Sequence, residues 1–166
     1  MGAYAAAAEP PDAGAASHQS EGRSILMPML SGGCACGAVR YACSAAPLFS
    51  LNCHCRDCQR ESGSAFVPVL GVPKAAFAVS QGSPRYFELT ADSGHTTTRA
   101  FCGDCGSPLF GLPGAAPEIV TIRAGSLHDP STFRPSQDIY TASAQPWDYM
   151  NPDLPKATKL PDRRDS

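Results

Sequence analysis

The sequence predicts a mainly β domain built from short antiparallel strands, and three observations carry that prediction. Aromatic and β-branched residues come in runs of five or six; nearly every gap between the runs holds Gly or Pro; and no segment keeps apolar residues at helical spacing for more than two turns. That rhythm belongs to an antiparallel all-β domain with short loops rather than to βαβ units. The 166 residues fit one domain, and a hydrophobic content of 43% is enough for a core, which 15 Gly and 16 Pro divide into short pieces.

In chain order, residues 1–24 are dominated by Ala, Gly, Pro, Ser, Glu and Asp with almost nothing to bury, and read as a disordered tail. The folded domain is expected over residues 25–155, beginning at Ile25 to Leu30 and turning at Ser31-Gly32-Gly33. Gly32, Gly33 and Gly37 permit the positive φ angles and close approaches that let backbone N–H groups point at sulfur. Ala38 to Cys43 alternates as a strand does, and Leu48 to Asn52 forms a second. Arg56 to Glu61 lacks Gly and Pro and fits one short helical segment, ended by Ser62-Gly63. Ala65 to Val72 reads as a central strand in which Pro68 demands an edge or a bulge. Further strands are expected at Phe77 to Ser80, Arg85 to Leu89, Thr96 to Phe101, Leu109 to Leu112, Ile119 to Ala124 and Ile139 to Thr141. From Asp148 the chain turns polar and Pro-rich, and residues 156–166 read as a flexible tail.

Charge and composition exclude several classes. A net charge of -2, a sequence pI near 6.0 and the lack of any Lys/Arg cluster apart from Arg163 and Arg164 count against a nucleic-acid surface. No apolar run approaches the length of a bilayer span, so no membrane association is expected. Ala5 to Ala8 is too short and too weakly apolar for a signal-peptide core, and Ala6 stands where an N-myristoyl site wants Ser or Thr. The expected location is therefore a reducing cytoplasm. There, eight cysteines point to thiolate–metal chemistry rather than to a disulfide framework. Nothing in the sequence sets the oligomeric state.

The cysteines sort by spacing. Cys34-x-Cys36 and Cys102-x-x-Cys105 offer two thiolates from each of two remote loops, which makes a closed tetrahedral site pinning the start of the domain to its middle. A redox dithiol at Cys102 and Cys105 lacks the strand-to-helix context such a motif needs. Such a structural metal contributes on the order of 10 kcal/mol to folding. Cys53-x-Cys55-x-x-Cys58 packs three thiolates into six residues with no obvious fourth ligand. His54 lies between two of them in an extended segment, where adjacent side chains point opposite ways, so it reads as a supporting or exposed group rather than a ligand. His18, His95 and His128 have no spacing that nominates them, and Cys43 reads as a small buried apolar residue. Three thiolates leave a coordination position for water or an incoming thiol, the geometry of catalytic zinc.

GGCACGAVRY, NCHCRDCQRESGSAF, RAFCGDCGSPLF, IRAGSLHDP and QPWD occur here in the order and approximate spacing of the glutathione-dependent formaldehyde-activating enzyme (GFA) family, which also contains centromere protein V. The chain resembles that family from about Ser31 to Leu154. The resemblance implies an antiparallel β-tent zinc-binding fold with two Zn²⁺ per chain. Cys34, Cys36, Cys102 and Cys105 would hold a structural ion and Cys53, Cys55 and Cys58 a catalytic one, the same grouping that spacing suggests. His128 replaces the acidic residue often seen in the GSLHDP turn, which bears on substrate specificity.

The activity that the resemblance implies is a carbon–sulfur lyase joining glutathione, or a similar thiol, to formaldehyde or a small aldehyde as an S-hydroxymethyl adduct. An open zinc suits that chemistry, because a coordinating thiol loses its proton near neutral pH and the thiolate attacks a small carbonyl. Seven thiolates outweigh two divalent ions by three negative charges, so cations are expected nearby. Arg56, Arg60 and Arg99 flank the cysteines, and Arg60 and Arg99 are the candidates for gripping the carboxylates of a glutathione-like co-substrate. Ser62, Gly63 and Ser64 offer donors for an oxyanion or simply end the helix. The alternatives are a non-catalytic zinc-binding adaptor or chaperone-like module on the same fold, whose second site would be closed by a protein ligand, and a chromatin or cytoskeletal role, for which the basic segment is missing.

Overall fold

The computed structural model describes residues 29–91 and 94–160. The expected tail over 1–24, the expected start at Ile25 and residues 161–166 lie outside the described residues. Among the described residues ten strands, one α-helix and four single-turn 3₁₀ segments follow one another, the strands and helix being β1 (Leu30–Gly33), β2 (Arg40–Cys43), β3 (Phe49–Cys53), α1 (Arg56–Ser62), β4 (Val67–Pro73), β5 (Phe77–Gln81), β6 (Arg85–Thr90), β7 (Thr96–Phe101), β8 (Pro108–Pro113), β9 (Ile119–Arg123) and β10 (Asp138–Ile139). Among the described residues no helix is long and apolar enough to cross a membrane.

The strands form a three-stranded sheet, β1-β2-β5, and a seven-stranded sheet, β10-β3-β4-β9-β8-β7-β6. Every pairing is antiparallel except β10 with β3, which is parallel and only two residues long. The mainly β, one-helix expectation therefore holds, with a mixed rather than wholly antiparallel larger sheet. A two-residue strand carries no readable period, so its direction depends on contacts with distant chain.

β4 shows why there are two cores. Leu70 and Val72 join a cluster with Tyr41, Leu109, Phe110, Val120 and Ile122, while Val67 and Val69 join Leu51, Cys53, Cys58 and Ile139. Alternate residues of one strand thus bury on opposite faces. Pro68 tolerates this central position without a bulge, because β9 starts to pair only at Val69 and leaves that end of β4 with a single neighbour. At Gly71 the Phe49 ring lies where a Cβ would stand, so a larger residue there has to displace that ring.

Ser31-Gly32-Gly33 forms part of β1 rather than a turn. Gly32 pairs with Tyr41, and its missing Cβ makes room for the Tyr41 hydroxyl and the Ser126 carbonyl. Of the three glycines expected to permit positive φ, Gly37 takes it (86°) while Gly32 and Gly33 do not, and Gly106 beside the second cysteine pair takes it as well (74°). At the other end, the first residues of the expected tail are held: Lys156 bridges Asp138, and Ala157 N–H donates to the Asp138 carbonyl at 2.9 Å.

Candidate metal centre

Four sulfurs gather where β1 and β7 end. Their Sγ atoms, on Cys34, Cys36, Cys102 and Cys105, all lie within 4.8 Å of one another. Cys34 and Cys36 are 3.4 Å apart, and Cys36 and Cys102 are 3.7 Å apart. Four thiolates at about 2.3 Å from a tetrahedral ion stand about 3.8 Å apart, so the number, type and spacing of donors fit zinc. The knuckles that present them are built locally: Val39 N–H donates to Cys34 Sγ at 3.2 Å, and Gly106 N–H closes onto the Cys102 carbonyl at 2.9 Å. Hydrogen bonding from the Ser107 hydroxyl, 3.1 Å away, and from its backbone pulls the Cys105 thiol down to about 5.

The three-cysteine set lies in the smaller core. Cys53 ends β3; Cys55 caps α1, its sulfur accepting the Cys58 N–H at 3.4 Å; Cys58 sits in the first turn of the helix. Cys53 is 8% and Cys58 9% exposed, with Cys55 half-buried, and the three sulfurs again lie within 4.8 Å of one another. The Cys53 and Cys58 thiols hold the Cys55 sulfur down to about 2. In return Cys55 pushes Cys53 up to about 12, and Cys53 and Cys55 push Cys58 up. The three crowded sulfurs oppose one another's ionisation, and a divalent ion is what would let all three be thiolates. Among the described residues no fourth Cys, His, Asp or Glu joins this set.

His54 does not join the three-cysteine set and is buried, 1% exposed. Its Nδ1 lies 2.7 Å from Asp148 Oδ2 and its Nε2 3.4 Å from Asp138 Oδ1. Burial pushes the Asp138 carboxyl up, but Asn52, Lys156 and His54 outweigh it and hold the group below its usual range. Asp138 and Asp148 were absent from the sequence candidates. Asp148 belongs to the QPWD motif, which was the available signal.

The arginines divide. Arg60 is exposed on α1. Arg56, also exposed, donates to Gln59 Oε1 on its own helix. Arg99 is engaged: its Nε lies 3.1 Å from Glu61 Oε2 and its Nη1 donates to the Asp57 carbonyl at 3.0 Å. Arg123, which the sequence did not nominate, completes the cluster with a bidentate pair to Glu61 at 2.9 and 3.0 Å through Nη2. Glu61 and Arg123 line a cleft of about 520 Å³ together with Ser62, Ser107, His128 and Cys34. None of Cys53, Cys55 and Cys58 lines it, but Ser62 stands one turn after Cys58 on the same helix and its hydroxyl donates to the Cys58 carbonyl at 2.9 Å. His128 keeps the turn intact, its N–H bonding the Ser31 carbonyl at 2.9 Å and its Nδ1 lying 3.1 Å from Ser31 Oγ.

A mainly β fold that gathers one four-cysteine and one three-cysteine set defines a class of candidate zinc proteins, and no Cys, His, Asp or Glu among the described residues closes the second set. The chain belongs to the glutathione-dependent formaldehyde-activating enzyme family, whose model matches residues 29–143. Among solved structures it is similar to the crystal structure of a Rhodobacter sphaeroides protein, a structural-genomics target, at 17% identity and a TM-score of 0.51 over 76% of this chain and 98% of that one. At that identity the likeness speaks for the fold alone.

Proposed function

We propose that this chain is a zinc-dependent carbon–sulfur lyase that joins glutathione, or a similar thiol, to formaldehyde or another small aldehyde. The observation that carries the reading is the three-cysteine set, which no fourth Cys, His, Asp or Glu among the described residues joins. Cys53, Cys55 and Cys58 would hold the catalytic Zn²⁺, and Cys34, Cys36, Cys102 and Cys105 a structural one. Bound there, the catalytic ion supplies a positive charge that lowers the pKa of a coordinating thiol. In the reaction the substrate sulfur forms a bond to the carbonyl carbon, the C=O π bond breaks, and the thiol proton ends on oxygen, giving the S-hydroxymethyl adduct.

The chain's own residues bind and orient. The cleft beside α1, within the usual size range for small-molecule sites, takes the non-reacting part of the thiol. His128 presents its ring along it and Ser62 a hydroxyl oxygen that can accept, and Arg60 is the arginine left available for a substrate carboxylate, since Arg99 is held by Glu61. The non-catalytic adaptor reading requires a protein group at the fourth position, and the described residues supply none. Cys58→Ser is the test: it should lose one of two zinc ions and the adduct-forming activity while the fold persists. Zinc analysis that finds no loss in this variant would sink the two-site reading.

A further inference from the structure

We propose that His54, clamped between Asp138 and Asp148, is a positioning residue that sets the geometry of the three-cysteine metal set; this rests on the reading that Cys53, Cys55 and Cys58 hold a metal.

The argument starts from where the side chain must go. In the extended step from Cys53 to Cys55 the two sulfurs share one side and His54 takes the other. There it meets a buried polar frame rather than solvent. Asp148, 4% exposed at its side chain, faces Nδ1, and Asp138, 1% exposed, faces Nε2. The ring also lies against Phe66, with centroids 5.2 Å apart. The backbone is fixed as well: His54 N–H donates to the Ile139 carbonyl at 3.0 Å, and the His54 carbonyl accepts from Gln59 Nε2 at 2.6 Å. Gln59 Nε2 reaches the Ser143 carbonyl at 2.9 Å, and Gln145 Nε2 reaches Gln59 Oε1 at 3.2 Å.

One residue between two ligands is therefore held by β10, by α1 and by residues 143–148 together. Burying an imidazole and two carboxylates costs more than packing an apolar residue of the same volume, so stability alone does not account for the frame. What it supplies is orientation. With the His54 ring lodged between the Asp148 and Asp138 carboxylates and its backbone bonded to Ile139 and Gln59, the chain between Cys53 and Cys55 is held in place, and α1 is tied to it beside Cys58. Groups that orient ligands in this way are worth about 10- to 100-fold in metal affinity.

The experiment uses the full chain reconstituted with cobalt(II), whose spectrum reports thiolate geometry, with the four-cysteine set as internal control. Chelator competition then gives the affinity of each set. His54→Leu should weaken cobalt at the three-cysteine set about 10- to 100-fold and alter that set's spectrum, leaving the four-cysteine affinity and spectrum unchanged. His54→Asn, whose amide nitrogen can still meet Asp148, should recover part of the loss. Asp148→Leu should weaken the same set, and combining it with His54→Leu should cost less than the sum of the two. His54→Leu with wild-type affinity and spectrum at the three-cysteine set overturns the inference, and so does equal loss at both sets, which is what a merely structural role predicts. If His54→Leu does not fold, His54→Asn and Asp148→Asn carry the same test by the same readouts. A wild-type chain that takes up only one cobalt overturns the three-thiolate reading itself, and the inference with it.

Discussion

At the scale of single residues, one buried hydroxyl ties the two sheets together. Tyr41 on β2 is 1% exposed, and its oxygen lies 2.6 Å from Ser126 Oγ. Ser126 Oγ in turn contacts the Leu109 carbonyl at 3.2 Å and the Arg123 carbonyl at 2.8 Å, beside β8 and β9. Burial pushes the Tyr41 phenol up to about 12, so it keeps its proton throughout the working range of the protein. Tyr41→Phe keeps the ring contacts with Phe77 and Phe110 and removes only the hydroxyl. The expected cost is about 1 kcal/mol, read as a lower denaturation midpoint with an unchanged slope. An unchanged midpoint would show that the bond adds nothing net. The sequence made the cysteines legible at this scale because ligand spacing is local. His54 was legible only as a side chain pointing away from the ligands; its partners, Asp138 and Asp148, stand more than eighty residues further along, and nothing about a lone Asp announces a buried histidine.

At the scale of elements, α1 carries the third thiolate and is too short to stand alone. Seven residues make fewer than two turns, well below the length at which isolated helices are stable in water. Gly63, in the left-handed conformation at φ 66°, ends it, and Glu61 pins it to the sheet through Arg123 on β9 and Arg99 on β7. The Glu61 side chain is 10% exposed, that of Arg123 9% and that of Arg99 14%, so removing the carboxylate strands two nearly buried cations. Glu61→Gln should therefore cost about 3 kcal/mol in chemical denaturation of the zinc-loaded chain, whereas Arg56→Ala on the exposed face should change stability by less than about 0.5 kcal/mol. A Glu61→Gln melt that matches the wild type would refute the clamp. The helix and most strands could be read from local punctuation by Gly and Pro. β10 could not be read fully, because its two residues take their direction from β3 and Asp138 from Lys156.

At the scale of the whole molecule, the two cysteine sets serve the two cores: Cys34 and Cys102 belong to the larger cluster, Cys53 and Cys58 to the smaller. The four-thiolate set joins the ends of β1 and β7, elements that no strand pairing connects within one sheet. Losing that link frees the smaller sheet from the larger at one corner. Cys102→Ser should therefore lower the thermal midpoint markedly or prevent folding, and an unchanged melt would contradict the structural role. The mainly β class could be anticipated from strand rhythm and both cysteine sets from spacing, whereas the division into two sheets could not be read from rhythm. The cleft could not, since it is assembled from β1, α1, β4, the chain after Cys105 and the Arg123–His128 turn, and only packing brings those together. The central claim is that the three-cysteine centre keeps one position for a substrate sulfur. The most direct test is to titrate the cobalt-loaded chain with glutathione and follow its thiolate-to-cobalt absorption. The account predicts a rise that saturates at one thiol per chain and is absent in Cys58→Ser; a spectrum that glutathione leaves unchanged in the wild-type chain would contradict it.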